Sequence, residues 1–458
     1  GLAPDGGLFV PERIPQADMA VAERLAGESY AALAGYLAEL FFGDDIDPGL
    51  LRREMERIYD FPLPLRRVGS RYTLELFHGP TFAFKDFGAG FMGRMVGLLG
   101  GADEKLVILT ATSGDTGSAV AHGFYDVPGV EVVLLYPEGK ISRLQECQMT
   151  ALGGNIHPLR VAGTFDDCQR LVKELFADSS FRAAHRVSSA NSINWGRLVP
   201  QIVYYFSAYC ELLNAGRIKA GDAIDVAVPT GNFGNILAAW FAKHSGLPIR
   251  RLICASNRNN VLTDFLATGT YDRNRPFHTT MSPSMDILVS SNLERLLFAL
   301  SGQDDKLVAD YMQQLNKHGA YTVSDEIKAK LKSDFYGGFC SEEETGKVIA
   351  EVWKKYNYLI DPHTAVAYDV MEKYRQETGD TNKTVFVSTA SPFKFCDSVL
   401  HSLGVAEVQD GIDALDQLSQ TTNRPAPVPL ASLRNKAVRF TESVDKEKME
   451  DVVLEMLK

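Results

Sequence analysis

Short apolar runs alternate with helical segments along this 458-residue chain from about residue 70 onwards. KLVILTA at 105–111 and GVEVVLLYPEG at 129–139 are two of these runs, and both have the length of a strand. Continuous runs rich in valine and isoleucine are typical of strands buried on both faces, and helices between such strands connect parallel neighbours. The pattern therefore predicts an α/β protein with two parallel sheets, whose other strands come from residues 154–163, 185–191, 223–231, 249–257 and 383–391.

Local capping signals place two of the intervening helices. Ser142 is followed three residues later by Gln145, and Thr164 by Asp167, which is the spacing of a capping box. The first of these helices is expected to end at the glycine pair 153–154, because glycine readily takes the conformation that closes a helix.

The same patterns divide the chain into three predicted domains. Residues 1–66 hold one helical stretch and a charged amphipathic segment, and they form a small helical N-terminal lobe. Residues 107–210 form a small α/β domain, and residues 67–106 and 211–458 form a large one. Within the large domain, residues 262–360 are interpreted as an insertion of helices with loops.

The composition excludes several classes of function. A net charge of −11 and a pI of about 5.4 argue against nucleic-acid binding, which needs a basic surface. Six scattered cysteines without a CxxC pair predict neither a metal site nor disulfides, and they suit buried thiols in the cytoplasm. No apolar run approaches the roughly 20 residues that span a bilayer, so no membrane partner is expected. The chain begins at Gly1, so a preceding targeting segment is left open.

The stretch TATSGDTGSAVAHGF at 110–124 follows a predicted strand and leads into a predicted helix. A helix N-terminus offers unpaired N–H groups and a positive dipole end, so this turn predicts an anion site that would suit a carboxylate. The alternative is a plain capped turn, in which Asp115 is the N-cap of the helix.

A second turn of this kind, VAVPTGNFGNILAAWFAK at 226–243, is richer in glycine. Its glycines allow the backbone to approach a phosphate, and its amides would donate to the phosphate oxygens. It matches neither the dinucleotide fingerprint nor the Walker A pattern, and its length suits a compact phosphate monoester. The alternative is a tight turn before a buried helix.

Lys85 lies among aromatic, apolar and glycine residues in LFHGPTFAFKDFGAGF at 76–91. Apolar surroundings lower the pKa of a lysine and make its amine nucleophilic towards a carbonyl. The alternative is a lysine that opens a helix and pairs with Asp86. Taken with the two turns, however, a reactive lysine completes the minimum set for pyridoxal phosphate: an amine for the aldehyde, a loop for the phosphate and an anion site for an amino acid's carboxylate.

The chain resembles the threonine synthase family, whose members are fold-type-II pyridoxal-phosphate enzymes related to the tryptophan synthase β subunit. The resemblance rests on five segments in the family's order: GLAPDGGLFVPE, LFHGPTFAFKDFG, TATSGDTGSA, NSINWGRLVPQIVYYF and PTGNFGN. It implies an α/β fold of that type and the conversion of O-phospho-L-homoserine and water into L-threonine and phosphate, with pyridoxal 5'-phosphate as cofactor.

The resemblance also implies a role for individual residues. Lys85 would be the Schiff-base lysine and later the general acid–base. Cofactor binding is expected from Lys85, Asp115 near the 3′ oxygen, Thr389 at the pyridine nitrogen, and the phosphate cradle of Gly231, Asn232, Phe233, Gly234 and Asn235. Substrate binding is expected from Thr112, Ser113, Gly114 and Thr116 at the carboxylate and from Asn191, Asn194, Arg197 and Lys394 at the phosphate. The alternative for Arg197 is an ion pair at a helix start.

Two other functions are compatible with the sequence. The nearest is a threonine-synthase-like phospholyase that releases 2-oxobutyrate, ammonia and phosphate from the same substrate. The other is a non-catalytic ligand sensor on the same fold, against which the retained Lys85 argues, because a sensor needs no Schiff base. The expected assembly is a monomer or a homodimer.

Overall fold

A computed structural model describes residues 1–3, 5–100, 105–112, 114–440 and 442–457. Its α-helices are, in chain order, α1 Met19–Glu28, α2 Tyr30–Phe42, α3 Pro48–Ile58, α4 Lys85–Leu99, α5 Asp115–Phe124, α6 Arg143–Thr150, α7 Phe165–Ala177, α8 Ser179–Ala184, α9 Trp195–Asn214, α10 Gly234–His244, α11 Val261–Thr268, α12 Leu293–Leu300, α13 Asp305–His318, α14 Asp325–Asp334, α15 Glu342–Tyr356, α16 Pro362–Thr378, α17 Cys396–Ser402, α18 Asp413–Thr422, α19 Val428–Ala431 and α20 Met449–Met456.

Its strands are β1 Leu65–Val68, β2 Arg71–Glu75, β3 Leu106–Ala111, β4 Val130–Pro137, β5 Ile156–Ala162, β6 Arg186–Ser188, β7 Ile224–Pro229, β8 Ile249–Ser256, β9 Thr270–Asp272, β10 Ala320–Thr322, β11 Phe335–Phe339, β12 Thr384–Ser388 and β13 Ser443–Asp445. All seven predicted apolar runs are strands. Across the described residues, no helix combines the length and the apolar character needed to cross a lipid bilayer.

The smaller of the two large sheets has five strands in the order β13-β5-β4-β3-β6, and every neighbouring pair is parallel. Successive side chains of β3 lie on opposite faces of the sheet. Leu109 packs in one core cluster with α7 and α20, and Ile108 packs in another with α5. Both faces are therefore covered by helices, which is the arrangement that continuous apolar strands predict.

The larger sheet has six strands in the order β1-β2-β12-β7-β8-β11. Only the β1–β2 pair at one edge is antiparallel, and the remaining pairs are parallel. Every residue of β7 is buried, as befits a central strand. The predicted α/β class with two parallel sheets and a helical N-terminal region is confirmed.

Contacts within the chain divide it into two compact units. One comprises Gly1, His78–Arg197 and Ala406–Lys458 and carries the five-stranded sheet; the other comprises Leu2–Phe77 and Leu198–Val405 and carries the six-stranded sheet. Helix α4 and the last part of the chain thus group with the smaller sheet, whereas the sequence assigned both to the large domain. The domain boundaries themselves stay a prediction.

Three details of the sequence interpretation are wrong. The N-terminal region holds three helices, because α1 precedes the expected stretch. Helix α6 begins at its capping box as predicted but ends at Thr150, before the glycine pair. The region 262–360 is not only helical, since it contains β9, β10 and β11. Strand β11 was not predicted because its two glycines break the apolar pattern. An added Cβ at Gly337 would lie 3.2 Å from Leu266, and one at Gly338 would lie 2.6 Å from Val370. The absence of side chains there allows helices to pack on both faces of this strand.

Candidate active site

Lys85 is the first residue of helix α4, and its side chain is half-buried. The N-cap Phe84 makes no side-chain capping hydrogen bond, and Phe82 just before it has a positive φ of 60°. The buried carboxylate of Asp86 fixes this turn by accepting hydrogen bonds from the amide (2.9 Å) and the hydroxyl (2.5 Å) of Thr81. Lys85 therefore does open a helix, and that helix start is held by buried hydrogen bonds.

The turn before α5 is closed by Thr112 and Gly114. The Thr112 hydroxyl accepts hydrogen bonds from the amides of Gly114 (3.0 Å) and Gly117 (2.7 Å). Gly114 is the N-cap and has a φ of 129°, where a Cβ would lie 2.4 Å from the Gln145 side chain. The alternative in which Asp115 is the N-cap is therefore wrong, because the N-cap is Gly114, in a conformation that favours glycine.

Asp115 instead faces helix α6. Its buried carboxylate accepts a hydrogen bond of 2.9 Å from Nε2 of Gln145, whose Oε1 in turn completes the capping box with the Ser142 amide. The predicted carboxylate-binding residues Thr112, Gly114 and Thr116 lie within this one turn, and Ser113 lies outside the described residues. Because the Thr112 hydroxyl already accepts hydrogen bonds from two amides, its side chain stabilises the turn.

The residues predicted for the substrate phosphate include a buried arginine at the start of α9. Nη1 of Arg197 donates to the carbonyl of Ala190 at 2.6 Å, and the side chain packs where a Cβ on Gly88 of α4 would stand. Burial lowers the pKa of Arg197 to about 10, while the negative charge of Asp86 opposes that shift. Asn194 accepts from the amide of Gly196 at 3.0 Å, so both of these predicted residues also order the local turn.

The predicted phosphate cradle, residues 231–235, is called the glycine loop below. Phe233 is the N-cap of α10 in the left-handed conformation, with a φ of 63° and no side-chain capping hydrogen bond. Asn235 is buried, and its Oδ1 accepts hydrogen bonds from the hydroxyls of Tyr204 (2.7 Å) and Tyr205. Within the described residues, Nδ2 of Asn235 has no hydrogen-bond partner. The loop thus leaves a helix N-terminus and one buried donor for an anion.

A long irregular segment between β9 and α12 supports the glycine loop. The hydroxyl of Ser290 donates to the Gly231 carbonyl at 2.7 Å, and the amide and Nδ2 of Asn292 donate to the Asn232 carbonyl at 3.1 and 3.0 Å. The Ser284 carbonyl oxygen would lie 2.6 Å from a Cβ on Gly231. Sequence reasoning missed these supports, because the residues are about 60 positions from the loop and belong to no motif.

These features fit a phosphate group. The carbonyl groups of Gly231 and Asn232 accept hydrogen bonds from Ser290 and Asn292. The N-terminus of α10 has no side-chain cap, so its amides can bind an anion. Thr389, predicted to face the pyridine nitrogen, directly follows β12 and is buried, as is Lys394. The residues present therefore suit pyridoxal phosphate.

One cluster of potential metal ligands occurs away from these residues. Ligand atoms of Cys340, Glu344 and Asp369 lie within 4.8 Å of one another. The ammonium group of Lys373 already neutralises the two carboxylates, since its Nζ is 2.9 Å from Glu344 and 2.6 Å from Asp369. Burial also raises the pKa of the Cys340 thiol, which opposes the thiolate that a metal binds. The expectation of no metal site stays a prediction.

The family models that match the chain agree with this site. Residues 65–327 match the model for pyridoxal-phosphate-dependent enzymes. Residues 1–59 match the threonine synthase N terminus, and residues 364–453 match the threonine synthase C-terminal region. The chain is thus a member of the pyridoxal-phosphate-dependent enzyme family with the fold of type II.

Comparison with similar proteins identifies the family of enzymes within this class. The threonine synthase of Pseudomonas aeruginosa is 40% identical over 407 residues, covering 87% of this chain and 85% of the relative. That of Saccharomyces cerevisiae is 36% identical over 494 residues, covering 100% of this chain and 94% of its own length. The chain belongs to the threonine synthase family.

A solved structure and a further relative complete the comparison. The pyridoxal-phosphate-bound threonine synthase of Brucella melitensis is 37% identical with a TM-score of 0.88, covering 100% of this chain and 95% of that one. Human threonine synthase-like 1 is 40% identical over 90% of this chain, which spans 58% of its length.

Proposed function

We propose that this protein converts O-phospho-L-homoserine and water into L-threonine and phosphate with pyridoxal phosphate as cofactor. The observation that carries the proposal is the glycine loop, an uncapped helix N-terminus with a buried amide donor in a chain of the threonine synthase family. In this reaction the bond from the γ carbon to the phosphate oxygen breaks, the β carbon loses a proton and the γ carbon gains one. The hydroxyl of water is added at the β carbon, and the other proton of water leaves with the phosphate.

Each predicted residue has a defined task in this proposal. Pyridoxal phosphate, when bound, withdraws electrons from the substrate's α carbon. The amides of the glycine loop would hold the cofactor's phosphate, and the Thr389 hydroxyl would donate a hydrogen bond to its ring nitrogen. Lys85 would supply the amine for the cofactor's aldehyde, and the same amine would take and return protons at the substrate carbons.

The substrate itself is held by its two anionic groups. The turn with Thr116 at the start of α5 would receive the carboxylate, and Asp115 is the residue expected near the 3′ oxygen of the cofactor. Asn191, Arg197 and Lys394 are the candidates for the substrate phosphate, since arginine and lysine bind phosphate strongly.

A product assay tests the proposal. Incubation with O-phosphohomoserine and pyridoxal phosphate is expected to release threonine and phosphate in equal amounts, with little 2-oxobutyrate. Lys85→Ala is expected to lose turnover and the visible absorbance of lysine-bound cofactor. Lys105→Ala, an exposed lysine in the same compact unit, is expected to keep both.

Two results would change the assignment. Mainly 2-oxobutyrate would favour the phospholyase, an alternative to which the similarity to human threonine synthase-like 1 draws attention. Bound cofactor without any phosphate release would favour the sensor. The proposal also places the enzyme in the cytoplasm as a monomer or homodimer, which light scattering and fractionation would check.

A further inference from the structure

A buried histidine–aspartate pair lies at the start of α16. His363 and Asp361 are both almost fully buried, and Nδ1 of the imidazole is 2.7 Å from Oδ2 of the carboxylate. On its other side, Nε2 accepts a hydrogen bond of 3.2 Å from the amide of Ser284. A backbone amide can only donate, so Nε2 carries no proton, and the proton of the neutral ring lies at Nδ1 towards Asp361.

The imidazole reaches the glycine loop through Ser284. Ser284 is the middle residue of a short 3₁₀ turn, Pro283–Met285, and its carbonyl oxygen presses on Gly231, where a Cβ would be 2.6 Å away. Because His363 holds the amide of this residue, it fixes the backbone against which the glycine loop rests.

The carboxylate reaches the end of β12 through Thr364. Oδ1 of Asp361 accepts hydrogen bonds from the amide (3.2 Å) and the hydroxyl of Thr364. The Thr364 hydroxyl is also 2.9 Å from that of Ser388, the last residue of β12 and the neighbour of Thr389. One continuous chain of hydrogen bonds therefore runs from the support of Gly231 to the residue beside Thr389.

Helix capping explains only part of this network. Asp361 is the N-cap of α16 and accepts from the amides of His363 and Thr364, as an ordinary N-cap does. Capping does not require an imidazole at 363, nor a hydrogen bond to a residue 79 positions away. Buried polar groups are costly unless every member is satisfied, and a satisfied network rigidifies the elements that it joins.

We propose that His363 is a positioning residue that sets the glycine loop and Thr389 at the separation required by one cofactor molecule. The inference rests on the proposed function, which assigns the cofactor's phosphate to the first and its ring nitrogen to the second. Loss of the imidazole leaves both elements folded but lets them shift relative to each other.

The test is the affinity of the apoprotein for pyridoxal phosphate, measured by absorbance titration. His363→Phe keeps a buried ring but removes both nitrogens, and it is expected to weaken binding about 10- to 100-fold, because two buried hydrogen bonds are lost. His363→Gln places an acceptor near the position of Nε2 and is expected to recover most of the affinity. His157→Phe is the matched control, since His157 is 2.8 Å from Glu131 in the other sheet and is expected to bind the cofactor as wild type does.

Each outcome has one reading. Folded His363→Phe apoprotein with wild-type affinity, or no recovery in His363→Gln, would overturn the inference. If His363→Phe does not fold, His363→Asn decides, because it keeps a donor towards Asp361 and loses only the bond to Ser284; unchanged affinity there would also refute the proposal. Failure of the wild type to bind, or unchanged binding in Gly231→Val, would refute the cofactor site itself rather than the role of His363.

Discussion

At the scale of single residues, the glycine loop depends on a charged side chain that is withdrawn from water. Arg295 is buried, and burial lowers its pKa to about 10, an effect that Glu294 opposes. Its Nη1 donates to Oδ1 of Asn292 at 2.6 Å, and its Nε donates to the Phe9 carbonyl at 2.9 Å. The guanidinium stays charged at neutral pH, so it ties Asn292, which holds the loop, to the N-terminal segment.

The neighbouring Glu294 predicts a pH dependence of stability. Burial raises its pKa to about 7, with Arg295 lowering and Asp5 raising it further. The folded state therefore binds this proton more tightly than the unfolded state, and the contribution to stability falls as the pH rises from the ordinary carboxylate range to about 7. Glu294→Gln, which stays neutral, is expected to equal wild type near pH 4 and to be more stable than it by about 2–3 kcal/mol near pH 8.

Thermal melting at the two pH values would check this. Glu56→Gln, at an exposed position of α3, is the control and is expected to change little at either pH. A Glu294→Gln advantage that is the same at both pH values would show that the carboxylate is not protonated in the folded protein.

The sequence predicted residues that belong to local motifs and missed those that act from a distance. Lys85 and the glycine loop belong to short sequence motifs whose residue types indicate their chemistry. Ser290, Asn292 and His363 have no such pattern, because their value lies in hydrogen bonds to partners far along the chain. The alternative of an Asp115 cap is wrong for a related reason, since the positive φ of the N-cap residue Gly114 is a property of the folded turn.

At the scale of elements, helices α4 and α5 approach each other through glycine. A Cβ on Gly93 would lie 1.9 Å from the Gly123 carbonyl oxygen, and a Cβ on Gly123 would lie 2.6 Å from the Ala89 backbone. Helix α4 begins at Lys85 and α5 at Asp115. The close contact of two backbones therefore sets the relative position of the helix starts that carry these two residues.

Gly93→Ala is accordingly expected to be disruptive. The added methyl group meets backbone atoms, which cannot rotate away, so the helices must separate at a cost of about 2–4 kcal/mol despite the better helix propensity of alanine. Gly97→Ala in the same helix is the control, since its methyl would meet only a Val127 side-chain atom at 3.0 Å. Thermal melting of both variants decides, and equal stability would mean that the two helices pack more loosely than described.

Elements were predictable where local and tertiary preferences agree. The capping boxes at Ser142 and Thr164 are both present, with the reciprocal hydrogen bonds that the spacing implies. Strand β11, in contrast, reads FYGGF, which has neither an apolar run nor an alternation. It forms a strand because it pairs with the edge of β8 and because its glycines leave room for two packed helices. Both reasons are tertiary contacts, which a short stretch of sequence does not reveal.

At the scale of the whole molecule, the last part of the chain completes a core begun some 300 residues earlier. Strand β13 pairs with β5, with Val444 opposite Val161. Met449 and Val453 of α20 are buried in the cluster with Leu109 and Val133 of the same sheet. Residues beyond 405 are therefore part of the first compact unit.

Val453→Ala is expected to destabilise that unit by about 1–3 kcal/mol, because it removes fully buried methyl groups. Leu454→Ala removes a larger part of a side chain that is 36% exposed, and it is expected to cost less. Chemical denaturation followed by circular dichroism would compare them. A greater loss in Leu454→Ala would mean that α20 presents a different face to the sheet.

This return of the chain has a consequence during synthesis on the ribosome. The six-stranded sheet has all its strands by Ser388, whereas the five-stranded sheet waits for Ser443–Asp445. Domains generally fold as units while the chain emerges. The unit that carries Lys85 therefore has most of its sheet before the six-stranded sheet is complete, but it is completed last. Until then, the edge of β5 and the apolar residues that α20 later covers are exposed, and chaperones can bind them.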